Sequence, residues 1–167
     1  MLPKVAIICA NYNYGQYIIP AIESIRSQTY AGEIRIYVVD DGSSDDSWEK
    51  ISNCSCDNLF TKRIENSGAS VARNEAIEMC WDWADIIGVL DADDAYHPEK
   101  VEKLVDKLVE HEEVGVAYAD YDNVNPEYNK REFKPYYSFT GLRTSCMVHS
   151  NALIFLGFVC FVTFQSV

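Results

Sequence analysis

Short β-branched runs that alternate with amphipathic segments constrain this chain more than any other feature of its sequence. Val5 to Cys9, Ile34 to Val39, Ile86 to Leu90 and Val114 to Ala119 each have the length and composition of a strand, and a weaker run lies at Leu59 to Ile64. Between them, Ile18, Ile22 and Ile25 fall on one face of Gln16 to Gln28, while Val71, Ala72, Glu75, Ala76 and Met79 recur at helical spacing within Ala69 to Asp82. A further helix is expected after Tyr96, with Pro98 in its first turn and Leu104, Val105, Leu108 and Val109 following. Strand then helix, repeated, implies an α/β fold with a mainly parallel sheet flanked by helices on both faces.

In such sheets ligands bind beyond the carboxyl ends of the strands. The residues there read Asn11-Tyr12-Asn13, Asp40-Asp41-Gly42-Ser43, Asn66-Ser67-Gly68, Asp91-Ala92-Asp93-Asp94 and Asp120-Tyr121-Asp122. Turn and capping chemistry accounts for one such end; five on one rim point to a ligand. The fourth is the most demanding, because Asp91, Asp93 and Asp94 repel one another unless a cation or a hydroxyl-rich ligand sits among them. Asp41 and Asp93 are read as ligand-bound, since an acid closing a buried strand loses hydration without structural return unless something binds it.

Other chemistries are excluded. Counting an EF-hand loop from Asp91 places Ala95 where an oxygen ligand is needed and Tyr96 where the turn needs glycine. No GxGxxG follows the first strand and no GxxxxGK[ST] occurs. A net charge of -12 without a basic run argues against nucleic acid as a partner. Cys9, Cys54, Cys56, Cys80, Cys146 and Cys160 show no CxxC and no zinc spacing with histidine, so they read as reduced structural thiols. The run after Lys4 is too short for a signal peptide, which gives a cytoplasmic expectation.

Four segments in order, "VAIICANYNYGQYIIPAIESIRSQTY", "IYVVDDGSSDDS", "ENSGASVARNEAIE" and "VLDADDAYHPEKVEKLV", resemble the nucleotide-sugar-binding half of the family 2 glycosyltransferases. The resemblance runs from Lys4 to about Val124 and continues more weakly through "SCMVHSNALI". It implies the GT-A fold, Rossmann-like in its sheet, and an inverting transfer from a nucleotide-diphosphate sugar, UDP-linked, to a hydroxyl of a glycan or lipid-linked glycan. By the same resemblance Tyr12 and Asp41 flank the base, with Asp41 accepting its N–H, and Arg73 lies near the nucleotide. Asp91 and Asp93 match the DxD motif, the first meeting the ribose and the second a Mn or Mg ion on the diphosphate, with Asp94 as the alternative metal ligand. The bland readings are packing for Tyr12 and, for Arg73, a surface ion pair with Glu75 or Glu78.

The general base is harder to assign. No acid follows Ser150, which leaves Asp120 and Asp122 as the catalytic candidates. The resulting division is a GT-A domain over 1–151, its acceptor part incomplete from about 125, and an apolar tail over 152–167. That tail carries two further expectations, burial or adsorption at the inner face of the membrane, and a non-catalytic remnant that binds donor without transferring sugar. A nucleotidyltransferase is the third class, disfavoured because "CANYNYGQY" lacks a basic, glycine-rich phosphate loop.

Overall fold

The computed structural model describes residues 1–119, 122–124, 131–133 and 152–156, with the side chains of 122–124 and 131–133 left aside. Strands β1 (Val5–Asn11), β2 (Ile34–Asp40), β3 (Leu59–Arg63), β4 (Ile86–Val89), β5 (Val116–Tyr118) and β8 (Ala152–Phe155) form one sheet in the order β3-β2-β1-β4-β8-β5. β6 (Asp122–Val124) and β7 (Arg131–Phe133) form a separate antiparallel pair. β1 pairs in parallel with β2 and β4, and β2 in parallel with β3, whereas β8 runs antiparallel to both β4 and β5. The mainly parallel sheet expected from the alternation is present, with one strand reversed.

Burial follows the period of two that a strand imposes. On β1, Val5, Ile7 and Cys9 enter one core, which includes Ile18, Ile22 and Ile25 of α1 (Ile18–Arg26), Ile51 of α2 (Ser47–Asn53), and Leu104, Val105 and Leu108 of α4 (Lys100–Glu110). Ala6 and Ile8 face the opposite way and pack with Ala72, Ala76, Ile77 and Cys80 of α3 (Ala69–Cys80). Three helices therefore cover one face and α3 the other. Two apolar periodic residues do not join a core: Val71 and Val109 are exposed, on the outer sides of α3 and α4. Pro98 also stands outside its helix, in the preceding turn, where its carbonyl accepts from Thr29 N at 2.9 Å.

The run beginning at Ala152, expected as the start of a tail, opens instead with β8 inside the sheet. Leu153 pairs with Gly88 and Ala117, and Ile154 with Ile87 and Val116. Gly88 is what admits it: a Cβ there would lie 2.5 Å from Leu153 Cδ2 and 2.6 Å from Ile7 Cδ1. An isolated apolar strand buries its backbone groups only by pairing, and β8 finds partners on both edges. Residues 157–167, the remainder of the expected tail, lie outside the described residues. Among the described residues no helix is long and apolar enough to cross a membrane.

Leu153 has no exposed surface. Leu153→Ala is expected to destabilise the protein by about 2–5 kcal/mol, the range for a buried leucine whose cavity does not collapse. Urea unfolding measures it; a midpoint equal to wild type would show that this segment does not pack in the sheet.

Candidate functional site

The strand order creates a crevice. From β1 the chain winds outward through β2 to β3, then returns to β4 on the other side of β1, so the connections leave the carboxyl ends of β1 and β4 in opposite directions. At this reversal lie the ends of β1, β2 and β4, with Asn11 in register with Asp40 and Ile8 with Val89. Tyr12, Asp41, Asp91 and the acids after it all follow from these strand ends.

Asp40 and Asp41 are both buried, and they do different things. Asp40 Oδ1 accepts from Asn11 Nδ2 at 2.9 Å and from Ser43 Oγ at 2.5 Å. Its Oδ2 accepts from Ser43 N at 3.2 Å and pairs with Arg63 Nε at 3.3 Å. Ser43 Oγ in turn accepts from Asn13 N at 2.9 Å, and Asn13 Oδ1 accepts from Ser44 N at 2.8 Å. The loop after β1 is thus sewn to the loop after β2. The Asn11 amide is oriented by Asp40, because the flipped form would set its carbonyl oxygen against a carboxylate; its Oδ1 has no hydrogen-bond partner among the described residues.

Asp41 reaches the other way. Its Oδ1 accepts from Ser67 N at 2.7 Å and its Oδ2 from Gly68 N at 2.9 Å, while its carbonyl accepts from Asn66 Nδ2 at 3.0 Å. The expectation that an acid here has no structural return is therefore corrected: Asp41 clamps the loop leading into α3. Gly42 permits the approach, with φ of 72° and space so close that a Cβ would lie 2.9 Å from Asn66 N. Each Asp41 oxygen keeps acceptor capacity beyond its backbone bond. Tyr12, directly after Asn11 at the end of β1, is 47% exposed, so it is not a core residue.

Arg73 makes neither of the local ion pairs considered from sequence. Glu75 pairs with Lys62 instead, and the Arg73 guanidinium crosses to the loop after β4, where Nη2 donates to Asp91 Oδ1 at 2.6 Å. Both side chains are partly buried. Asp91 also closes its own turn, its carbonyl accepting from Asp94 N at 3.0 Å. Asp93 and Asp94 are exposed. Beneath the loop, Cys9 is buried and its thiol is pushed up to about 12, first by desolvation and then by Asp91, with Asp93 and Asp94 adding to the rise and Arg73 opposing it. Tyr96 is buried under the same turn, and its hydroxyl donates to the Val89 carbonyl at 2.6 Å. Lys100 places its ammonium 3.4 Å from the Tyr96 ring centroid; burial lowers it to about 7, against the pull of Asp94.

Sequence reasoning missed Asp40, Arg63 and Ser43 as a unit; the paired acids followed by serine in "DDGS" were the available signal. Asp120 lies outside the described residues. Asp122 opens β6, and its side chain is likewise outside them. Among the described residues no three His, Cys, Asp or Glu side chains converge as a metal cage. Asp93 and Asp94 nevertheless offer exposed carboxylate oxygens of the hard type that Mg and Mn take. One or two protein carboxylates are the share such ions use when a diphosphate supplies the rest.

Replacing Asp40 by asparagine keeps its size, removes its charge and turns an N–H2 toward donors. Asp40→Asn is expected to cost roughly 1.5–3 kcal/mol, the scale of a buried hydrogen bond to a charged group. Chemical unfolding checks this, and an unchanged midpoint would show that the rim does not depend on the carboxylate.

Known proteins share this architecture. A glucosyltransferase of Escherichia coli, UDP-Glc:alpha-D-GlcNAc-diphosphoundecaprenol beta-1,3-glucosyltransferase WfaP, is 34% identical over 120 residues, covering 70% of this chain and 45% of its own. An uncharacterised glycosyltransferase of Nostoc sp. is 32% identical over 118 residues, covering 69% of this chain and 36% of its own. The chain thus spans less than half the length of these relatives. Staphylococcus aureus TarS 1-349, solved in complex with UDP-GlcNAc, matches with a TM-score of 0.59 at 28% identity, over 68% of this chain and 33% of that one. Mannosyltransferase PcManGT from Pyrobaculum calidifontis, solved with GDP-Man and Mn2+, shares the fold with a TM-score of 0.61 at 22% identity, over 77% of this chain and 38% of that one. The model of Glycosyl transferase family 2 matches residues 6–162; the chain belongs to that family and carries its GT-A fold.

Proposed function

We propose that this chain forms the donor-binding part of an inverting, metal-dependent glycosyltransferase that takes a UDP-linked sugar and delivers it to a hydroxyl of a glycan or lipid-linked glycan. The observation that carries the reading is the rim at the strand-order reversal, where the loop after β1 is bonded to the loop after β2, Asp41 clamps the entry to α3, and Arg73 of α3 holds Asp91 after β4. The donor nucleotide is argued from the relatives, since WfaP is named for UDP-Glc and TarS was solved with UDP-GlcNAc. The remnant reading gains nothing from them: the family match continues through residue 162, well into the run taken for a tail.

In this reading the clamped Asp41 accepts the N–H of the base, an acceptor already held rigid by two backbone donors and so ordered at little further entropic cost. The exposed Tyr12 ring covers the base from the β1 side. Asp91 accepts a ribose hydroxyl. Asp93, with Asp94 beside it, would hold a Mn or Mg ion, which when bound neutralises the diphosphate and so makes it a better leaving group. Asp122 or Asp120 is the proposed base that takes the proton from the acceptor oxygen, opposite the departing nucleotide, and positioned general-base catalysis of this kind is worth roughly 10²–10⁴-fold.

UDP binding by calorimetry is expected to be strong with Mn and to collapse in chelator, and Asp93→Asn is expected to lose most of the metal-dependent part while unfolding no earlier than wild type. Equal UDP affinity with and without Mn would refute the metal role. An Asp93→Asn protein that binds UDP and Mn as wild type would remove Asp93 from the site.

A further inference from the structure

We infer that Arg73 is the resident counter-ion of the acidic loop: it neutralises Asp91 in the metal-free protein, and it passes from Asp91 to the diphosphate when donor and metal arrive together. The inference rests on the donor-site reading above and assigns Arg73 a positioning role within it.

The geometry is specific. Arg73 stands on the second turn of α3, a helix whose start is fixed by Asp41 through Ser67 N and Gly68 N. Glu75 lies nearer in sequence, yet it is taken by Lys62, and the guanidinium spans to Asp91 at 2.6 Å. Side-chain exposures of 25% for Arg73 and 34% for Asp91 leave the pair only partly screened by water. That Asp91, Asp93, Asp94 and Arg73 share one neighbourhood is visible at Cys9, on which all four act, the acids in one direction and the arginine in the other.

Three carboxylates within four residues would otherwise form a strong lure for any divalent ion. With Asp91 already paired, a free ion meets Asp93 and Asp94 with an arginine close by, and its capture is correspondingly weak. A diphosphate changes the balance. Its oxygens accept guanidinium N–H bonds at least as well as a carboxylate does, so Arg73 exchanges one anion for another, Asp91 is released toward the ribose, and the added negative charge draws the ion in. No covalent bond changes. The consequence is mutual dependence: metal alone binds poorly, and metal with nucleotide binds well.

Calorimetry on the full chain with Mn alone, UDP alone and the two together tests this. Wild type should show Mn binding strengthened by UDP. Arg73→Gln should tighten Mn alone by roughly tenfold, the Coulomb effect of removing one positive charge at such range, and should lose most of the strengthening by UDP. Arg73→Lys, which keeps the charge, should stay close to wild type for Mn alone. An Arg73→Gln protein with unchanged or weaker Mn binding and lost UDP binding would overturn the inference and make Arg73 a plain nucleotide ligand. Metal-free thermal unfolding tests the pair without any arginine variant: Asp91→Asn should lower the midpoint by about 2–4 °C, whereas Asp93→Asn should not lower it. A midpoint raised by Asp91→Asn would show an unpaired, repelled acid and overturn the inference. Wild type that binds no UDP even with Mn would overturn the donor-site reading, and the midpoints would still report on the Arg73–Asp91 pair.

Discussion

A carboxylate without exposed surface, Asp40, closes the second strand and is matched by an amide, a hydroxyl, a backbone N–H and a guanidinium, and the shape of the rim depends on that match. Burying a charge is unfavourable unless every lone pair finds a donor. Here the donors come from the end of β1, the loop after β2 and the end of β3, so satisfying one side chain brings three segments into register. Asp41, next in sequence, points away from that hub and performs the same service for the loop into α3. Two adjacent acids therefore tie the ends of β1, β2 and β3 and the start of α3 into one surface.

The acids after β4 follow a different logic. None is buried as Asp40 is, and at Asp91 the mutual repulsion is relieved by Arg73. A structural acid is satisfied completely by the fold; a ligand-binding acid is left with capacity to spare. The rim shows both kinds, graded from Asp40 through Asp41 and Asp91 to Asp93. That gradation, more than the number of carboxylates, is why the crevice suits a ligand that brings hydroxyls, a base N–H and phosphate oxygens together.

Much of this was legible in the sequence, because the relevant physics is local. A buried parallel strand must be apolar on both faces, and β1, β2 and β4 announce themselves as apolar runs within a residue or two of their true ends, whereas the exposed β3 is the weaker signal. The residues that follow them were identified as the rim for the same reason. What escaped depends on partners distant in the chain. β8 is a four-residue apolar run whose hydrogen bonds go to strands near 87 and 117, and nothing beside it in sequence distinguishes such a strand from a tail. The ion pair of Arg73 was sought at Glu75 or Glu78 because helical spacing is visible and tertiary crossing is not. The clamp role of Asp41 is invisible in sequence, because the backbone N–H groups that satisfy it belong to Ser67 and Gly68, residues whose side chains say little. Asp120 and Asp122, the candidates for the base, remain a reading of the sequence.

Hydrogen–deuterium exchange of the full chain with and without UDP and Mn tests the central claim most directly, because it reports on every loop of the rim at once. The account predicts added protection at 11–15, 41–45, 66–73 and 91–96, the segments that follow β1, β2, β3 and β4, and none at the opposite edge of the sheet, around 32–34, 56–58 and 84–86. Protection confined to that opposite edge, or none anywhere at saturating UDP and Mn, would contradict it.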